Sequence, residues 1–219
     1  MSGESERDDR DDRADRTDRA VGGGRVVLVT GPSGAGKSRV CARLQAAHGW
    51  PVVRLDDFYK DGDDPTLPMV DLGGGTRLPD WDDAGSWDAG AAVAALEQLV
   101  QTGSVQVPTY DISTSRAVGS STVTVRPGQL VLAEGIFAAE IAPVLAERGL
   151  LRGAWCVSHS RAENFARRLL RDLAERRKPP LVLVRRGIEL ARREPAILAR
   201  AEALGAATIR PQDLEALLR

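Results

Sequence analysis

The sequence predicts an α/β fold in which helices cover both faces of a mostly parallel sheet. Short apolar, β-branched runs alternate with helix-like segments along most of the chain. A glycine-rich turn joins the first such run directly to the first helix. Because parallel strands need crossover connections, this alternation is typical of a three-layer α/β sandwich. A chain of 219 residues is long enough for one well-buried domain of this kind.

The overall composition does not suggest several classes of function. The net charge is −1, so no global field draws the chain to nucleic acid or to a membrane surface. Cys41 and Cys156 lie far apart without CxxC spacing, which predicts neither a disulfide framework nor a metal knuckle. No apolar stretch has membrane-spanning length, and no signal peptide is evident. We therefore expect a cytoplasmic protein with no nucleic-acid or membrane partner.

Residues 1–24 depart from the strand–helix alternation. They mix aspartate and arginine densely and hold almost nothing apolar. Such a segment cannot bury enough surface to offset the entropy of ordering, so we expect a disordered, solubilising tail. The folded domain is predicted to cover 25–219.

The first half of this domain contains two predicted strands and two predicted helices. RVVLVT at 25–30 is suited to a central parallel strand, and PVVRL at 51–55 is a second strand. Residues 37–47 between them are helical in pattern. Residues 60–80 are rich in glycine, aspartate and proline and predict a loop. The amphipathic segment 89–103 predicts a helix that ends at its terminal glycine.

The middle of the domain combines a hairpin with two more core strands. SVQVPTYD at 104–111 and STVTVRPG at 121–128 are typical of the arms of a small β-hairpin flap around a polar tip. QLVLAEG at 129–135 predicts a third core strand, and RGAWCVS at 152–158 predicts a fourth. A helix is expected between them at 136–147.

The C-terminal part begins with a long basic helix at about 160–177, which a proline pair interrupts. Helical pattern resumes at 181–193. A short strand at 207–209 and a final helix at 211–218 complete the predicted order.

The stretch GPSGAGKS, Gly31–Ser38, satisfies the pattern G-x-x-x-x-G-K-[ST] between a buried strand and a helix. Glycines let consecutive backbone N–H groups approach a phosphate chain, and the helix N-terminus adds partial positive charge. Lys37 would reach the β- and γ-phosphates, and the Ser38 hydroxyl would bind Mg²⁺. The alternative is a glycine-rich turn that matches by chance. The residues expected to bind a nucleoside triphosphate are Gly31, Pro32, Ser33, Gly34, Ala35, Gly36, Lys37 and Ser38.

Carboxylates follow two of the predicted strands, at the sheet edge that lines the ligand crevice in open α/β folds. Asp56 could accept the proton of an attacking hydroxyl, and Asp57 could assist a metal or face water. Glu134 ends an apolar strand and could hold Mg²⁺ directly or through water. The alternatives are an Asp-rich loop start at Asp56 and a surface glutamate at Glu134.

Two tryptophans lie among carboxylates in LPDWDDAGSWD, residues 78–88. Trp81 could stack on a planar ligand and Asp82 could hold sugar hydroxyls, although a structural role for both is equally open. For Trp87 we expect a core anchor, and for Asp88 a helix N-cap.

The basic segment RAENFARRLLRDLAERRK, 161–178, could form a helical lid whose arginines close over the phosphates. The alternative is an exposed helix with salt bridges, since Arg168, Asp172 and Arg176 follow i,i+4 spacing. The excess of basic residues in a chain that is nearly neutral overall favours the lid.

Together these motifs resemble the uridine kinase family, in the wider group that includes phosphoribulokinase and one class of pantothenate kinase. The resemblance spans about 25–180 and follows the order GPSGAGKS, DDFY, WDDAGSWD, YDISTSR, EG and RRLLRDLAERRK. It implies Asp56 as catalytic base with Lys37, Arg168 and Arg171 acting on the phosphates. It further implies Mg²⁺ at Ser38 and Glu134, the latter followed by Gly135. Arg176 is implied at the nucleotide. Implied on the acceptor side are Asp56, Tyr59, Trp81, Asp82, Tyr110, Arg116, Arg168 and Lys178, with Asp111 beside them in the hairpin.

The sequence departs from this family in two places. Uridine kinases carry a histidine in the hairpin that contacts the pyrimidine, and the matching position here is Thr114. The lid ends in Lys178 instead of arginine, and lysine cannot form a bidentate clamp. His48 and His159 lie elsewhere, and we interpret both as structural.

The sequence therefore predicts an ATP- or GTP-dependent P-loop kinase, with Mg²⁺, of a small hydroxylated molecule. A nucleoside such as uridine or cytidine is the favoured acceptor. A non-nucleoside alcohol, as in pantothenate kinase or phosphoribulokinase, is the second hypothesis. A non-enzymatic ATP-binding regulator is the third. Uridine kinases are commonly oligomeric, so a homo-oligomer is a further expectation.

Overall fold

The computed structural model describes residues 24–71, 76–158 and 195–218. The strands within these ranges are β1 (Val26–Thr30), β2 (Val52–Arg54), β3 (Met69–Asp71), β4 (Arg77–Pro79), β5 (Ser104–Asp111), β6 (Arg116–Thr124), β7 (Val131–Glu134), β8 (Leu151–Val157) and β9 (Ala207–Ile209). Five of them form a parallel sheet in the order β2-β7-β1-β8-β9. The carboxyl ends of β2, β7 and β1 therefore lie side by side at one edge.

The helices of the described residues are α1 (Lys37–His48), α2 (Ala89–Thr102), α3 (Ala142–Glu147), α4 (195–203) and α5 (Pro211–Leu217). Short 3₁₀ turns cover Leu55–Phe58, Ala84–Ser86 and Ala138–Ile141. No helix in the described part of the chain is both long and apolar enough to cross a membrane.

Alternate residues of β1 face opposite helical layers, because strand side chains alternate across the sheet. Val26 and Leu28 join a core with residues of α2, α3 and α4. Val27 and Val29 join a second core with residues of α1 and α5. All five residues of β1 are buried, as a central parallel strand requires. The predicted three-layer α/β architecture is confirmed.

The boundaries of α2 follow from local chemistry. The Asp88 carboxylate accepts a hydrogen bond of 2.8 Å from the Ala91 N–H, and Gly103 closes the helix with φ 81°. Next to the cap, Trp87 is buried and its Nε1 donates to the Leu55 carbonyl at 2.6 Å. The predicted cap at Asp88 and core anchor at Trp87 are both confirmed.

The structure differs from the sequence-based expectations in several elements. The predicted loop 60–80 contains the antiparallel pair β3–β4. In the hairpin, β6 begins at Arg116, so polar and glycine residues before 121 also pair, although little of this arm is buried. The expected helix 136–147 is a 3₁₀ turn followed by α3, whose first turn holds a proline. Helix α4 was not expected.

Three expectations concern residues outside the described ranges. They are the disordered tail, of which 1–23 is not described, the basic helix at about 160–177 and the helix at 181–193.

Candidate active site

The glycine-rich loop Gly31–Ser38 links β1 to α1 and leaves no room for a side chain at its start. A Cβ at Gly31 would lie 2.2 Å from the Val157 carbonyl oxygen on β8, and φ there is +138°. Gly36, the N-cap of α1, has φ 93°. These values favour glycine, because L-residues with a side chain rarely adopt them. The loop is therefore a bare backbone turn at the N-terminus of a helix, which suits an anion.

Lys37 is held against this loop. Its Nζ donates to the carbonyls of Gly31 at 2.9 Å and Pro32 at 3.4 Å, and the residue is 9% exposed. Burial lowers the pKa of the Lys37 ammonium group, while the carboxylates of Asp56 and Glu134 oppose that shift. The Lys37 ammonium group thus lies against the loop carbonyls and near two acids.

Ser38 and Glu134 form an oxygen pair between α1 and β7. The Ser38 hydroxyl donates to Glu134 Oε1 at 2.9 Å, and Glu134 is 6% exposed. Burial raises the pKa of the Glu134 carboxyl, against the hydrogen bond from Ser38 and the charge of Lys37. A hydroxyl and a carboxylate beside a phosphate-binding loop match the few protein oxygens that Mg²⁺ takes when phosphates supply the rest. These two residues therefore fit a magnesium ion, and Glu134 is not the surface glutamate of the alternative interpretation.

The Asp56 carboxylate is oriented by the segment that follows β7. The Ile136 N–H donates to Asp56 Oδ1 at 2.9 Å, and the Ile136 carbonyl accepts from Thr30 Oγ1 at 3.0 Å. A Cβ at Gly135 would come within 2.9 Å of Asp56 Oδ1 and of Leu55 Cβ. The close approach of Asp56 thus requires glycine at position 135.

Asp57 follows Asp56 in the chain and contacts the hairpin. It is buried, lies 3.7 Å from the Arg54 guanidinium and accepts from the Tyr110 N–H at 3.4 Å. Burial raises the pKa of Asp57, and Arg54 opposes the shift. These contacts give Asp57 a structural role in attaching the hairpin.

The hairpin tip is fastened to the loop after Asp56 by several polar contacts. Tyr110 donates from its hydroxyl to the Lys60 carbonyl at 3.0 Å, and the Ala117 N–H donates to Asp61 at 2.9 Å. Arg116 forms an ion pair with Asp63. The Thr114 hydroxyl lies 3.2 Å from an oxygen of Asp111 within the tip turn.

Aromatic rings line the space between these segments. The Tyr59 ring lies 5.9 Å from those of Trp81 and Tyr110 and 6.0 Å from that of Phe137. The Tyr59 hydroxyl donates to the Trp81 carbonyl at 3.3 Å, and burial raises the pKa of that phenol. Three residues predicted from distant motifs, Tyr59, Trp81 and Tyr110, are thus brought into one cluster.

A cavity of about 460 Å³ opens beside this cluster. Its walls come from Thr30, Pro32 and Ser33 at the phosphate-binding loop, from 82–84, from 136–140 and from α4. Asp82 is among the residues that line it. Sequence reasoning missed the contributions of Ile136, Phe137 and α4.

Several predicted residues are not part of this geometry. Arg168, Arg171, Arg176, Lys178 and His159 lie outside the described residues. His48 stacks on Trp50 at 4.3 Å near the end of α1, in agreement with a structural role. Cys41 and Cys156 are both buried, and neither forms a disulfide within the described part of the chain.

The sequence matches a family model over residues 26–182, and that model describes the Phosphoribulokinase / Uridine kinase family. The matched range contains the phosphate-binding loop, Asp56, the hairpin and Glu134. Helix α4 lies beyond it.

Comparison with individual proteins gives the same assignment. The chain is 30% identical to a uridine kinase of Deinococcus deserti over 171 residues, which cover 76% of this chain and 77% of that protein. It is 29% identical to a uridine kinase of Clostridium perfringens over 151 residues, 68% of each chain. A solved structure described as a candidate fructose transport system kinase from Silicibacter sp. TM1040 has a TM-score of 0.54 and 20% identity. It covers 90% of this chain and 93% of its own, and it supports the α/β fold alone.

Proposed function

The chain belongs to the phosphoribulokinase / uridine kinase family of P-loop small-molecule kinases, and we propose that it phosphorylates the hydroxyl of a nucleoside such as uridine or cytidine. The phosphoryl donor is ATP or GTP. One observation carries the proposal. The loop cation Lys37, the oxygen pair Ser38–Glu134 and the base candidate Asp56 all lie at the ends of β1, β7 and β2, which are neighbours in the sheet.

The phosphate-binding loop holds the donor. Its backbone N–H groups and the N-terminus of α1 provide partial positive charge, and Lys37 provides a full one. Phosphoryl transfer has a loose transition state, so catalysis depends mainly on positioning and on neutralising charge. Mg²⁺, bound at Ser38 and Glu134, would supply further positive charge to the phosphate oxygens.

Asp56 accepts the proton of the attacking hydroxyl in this proposal. The Ile136 N–H donates to Oδ1 of Asp56, and in this proposal Oδ2 accepts the proton. An ionised aspartate suffices for this step, because the alcohol loses its proton late in a loose transition state. On the grounds of the sequence alone, Arg168, Arg171 and Arg176 are proposed to close over the transferring phosphoryl group, and Lys178 to contact the acceptor.

The acceptor occupies the cavity beside the aromatic cluster. Trp81 offers a planar face near Tyr59, and Asp82 offers a carboxylate that can accept hydrogen bonds from hydroxyl groups. Tyr110 and Arg116 lie in the hairpin, where Arg116 is paired with Asp63, and their contact with the acceptor is proposed from the sequence.

A non-nucleoside alcohol is the second candidate, and the hairpin supports it. Thr114 replaces the expected histidine, and its hydroxyl is engaged by Asp111 within the tip turn. The contact that uridine kinases make to a pyrimidine from this position is therefore made here by another group or not at all.

A coupled ADP-release assay tests the proposal, with ATP and Mg²⁺ and with uridine, cytidine, pantothenate or ribulose 5-phosphate as acceptor. We expect acceptor-dependent ADP release with a nucleoside. ADP release with pantothenate or ribulose 5-phosphate, but not with uridine or cytidine, would establish the second candidate. ATP binding in calorimetry without ADP release for any acceptor would contradict both.

A further inference from the structure

We propose that helix α4 selects the acceptor and that Ile197 is its specificity-determining residue. This inference rests on the proposed function and adds to it a wall of the pocket that lies outside the family-matched range 26–182. It names the acceptor class as an uncharged hydroxylated molecule with an apolar or aromatic body.

The cavity that Ile197 lines adjoins both the phosphate-binding loop and the segment that orients Asp56. The same cavity is bounded by Pro32 and Ser33 of the phosphate-binding loop and by Ile136. The Ile136 N–H donates to Asp56 Oδ1, so the cavity adjoins the residue that orients the base candidate. A residue that limits the cavity therefore limits which acceptors reach the chemistry.

The lining is chemically divided. The segment 82–84 contributes the carboxylates Asp82 and Asp83, which suit hydroxyl groups. The segment after β7 and helix α4 contribute Phe137, Ile197 and small alanines, which suit an apolar or aromatic surface. Among these wall residues of α4, Ile197 has the largest apolar side chain, so it sets how much bulk fits.

The charges along the described lining disfavour an anionic acceptor. Glu140 and Arg200 neutralise each other through two hydrogen bonds, of 3.0 and 2.8 Å. Asp83 adds a carboxylate to the cavity wall, and its Oδ1 accepts a hydrogen bond from the Gly85 N–H. A carboxylate or phosphate on the part of the acceptor that lies here would meet like charge, which raises its free energy of binding.

Helix α4 is held against the 3₁₀ turn after β7 and against the core, which fixes the position of its cavity-lining residues. The Glu140–Arg200 pair joins α4 to the 3₁₀ turn after β7, and bidentate arginine–carboxylate pairs fix orientation. Ala201 is buried and Leu198 packs against the same core. Arg200 is thus a positioning residue for Ile197, while Leu198 faces the core and is absent from the cavity lining.

Matched variants of α4 test the inference through the ratio of kcat/KM for 5-methyluridine to kcat/KM for uridine. Ile197→Ala enlarges the pocket, and we expect the ratio to rise roughly tenfold, the usual effect of a methyl-sized change in an apolar pocket. Ile197→Phe fills the pocket and should lower the ratio. Leu198→Ala is the control, because it shortens the neighbouring apolar side chain of α4, which packs against the core and not against the cavity. KM for ATP should stay the same in all three, and circular dichroism checks folding.

The outcomes separate this inference from the proposed function. If the wild-type enzyme phosphorylates uridine but the Ile197 variants leave the ratio unchanged, the proposed role of Ile197 is wrong and the proposed function stands. The same holds if the Ile197 variants change the ratio only as much as Leu198→Ala does. A wild-type enzyme that binds ATP and phosphorylates neither nucleoside overturns the proposed acceptor, and this inference with it. Opposite shifts in Ile197→Ala and Ile197→Phe support it.

Discussion

Asp56 and Gly135 approach each other so closely that one methyl group at position 135 would collide with the carboxylate. A Cβ there would lie 2.9 Å from Asp56 Oδ1, shorter than real Cβ contacts. The neighbouring Ile136 N–H holds the same oxygen at 2.9 Å. The glycine after Glu134 therefore permits the position of the proposed base.

Gly135→Ala is expected to lower kcat by about 10- to 100-fold, because a shift of the order of 1 Å in a catalytic group has effects of that size. ATP affinity should change little, since the phosphate-binding loop is not displaced. Gly119→Ala is a suitable control, because a Cβ at that position has nothing within 4 Å. Equal kcat values for the two variants would show that the approach to Asp56 is unimportant.

The burial of Glu134 predicts that the free energy of unfolding depends on pH. Burial raises the pKa of the Glu134 carboxyl in the folded state above its ordinary value of 4.5. At pH values between 4.5 and the folded-state pKa, the folded state therefore binds more protons than the unfolded state. Protonated Glu134 therefore contributes its full stabilisation below pH 4.5, and this contribution is lost as the pH rises through the folded-state pKa. Glu134→Gln should become more stable relative to wild type as the pH rises through this window.

Urea unfolding of the protein without nucleotide at a series of pH values measures this difference. Glu147→Gln, an exposed glutamate at the end of α3, is the matched control. If the wild-type and Glu134→Gln curves stay parallel across the series, then burial does not shift the titration of Glu134 as described.

Trp81→Ala is expected to raise KM for the acceptor about 2- to 13-fold, the loss that one aromatic contact of about 0.5–1.5 kcal/mol implies. KM for ATP should be unchanged, because Trp81 belongs to the aromatic cluster around Tyr59 and not to the phosphate-binding loop. Trp50→Ala, which removes the ring that stacks on His48, controls for the general loss of a tryptophan. A larger effect on ATP than on the acceptor would place Trp81 in a different role.

The sequence predicted most of the central architecture, because burial leaves a clear pattern. The run Val26–Thr30 is apolar since both faces are covered, and the glycine-rich turn after it lies between the strand and the helix that a phosphate-binding loop requires. The same reasoning placed Glu134 at a strand end, where the structure buries it against Ser38.

Other features were not predictable from residue types. The hydrogen bonds that Ile136 makes to Asp56 and Thr30 use its backbone, which every residue type shares. The strands β3 and β4 have largely exposed side chains and flank a glycine-rich stretch, so no alternation of burial marks them. The wall formed by α4 depends on a contact between Glu140 and Arg200, which are 60 residues apart.

The most direct test of the central claim is a paired measurement on Asp56→Asn, with kcat from acceptor-dependent ADP release and ATP affinity from calorimetry with Mg²⁺. We expect kcat to fall by about 10²- to 10⁴-fold while the affinity for ATP stays within a few-fold of wild type. A variant that turns over at the wild-type rate, with ATP still bound, would contradict the role of Asp56 as the base that activates the acceptor.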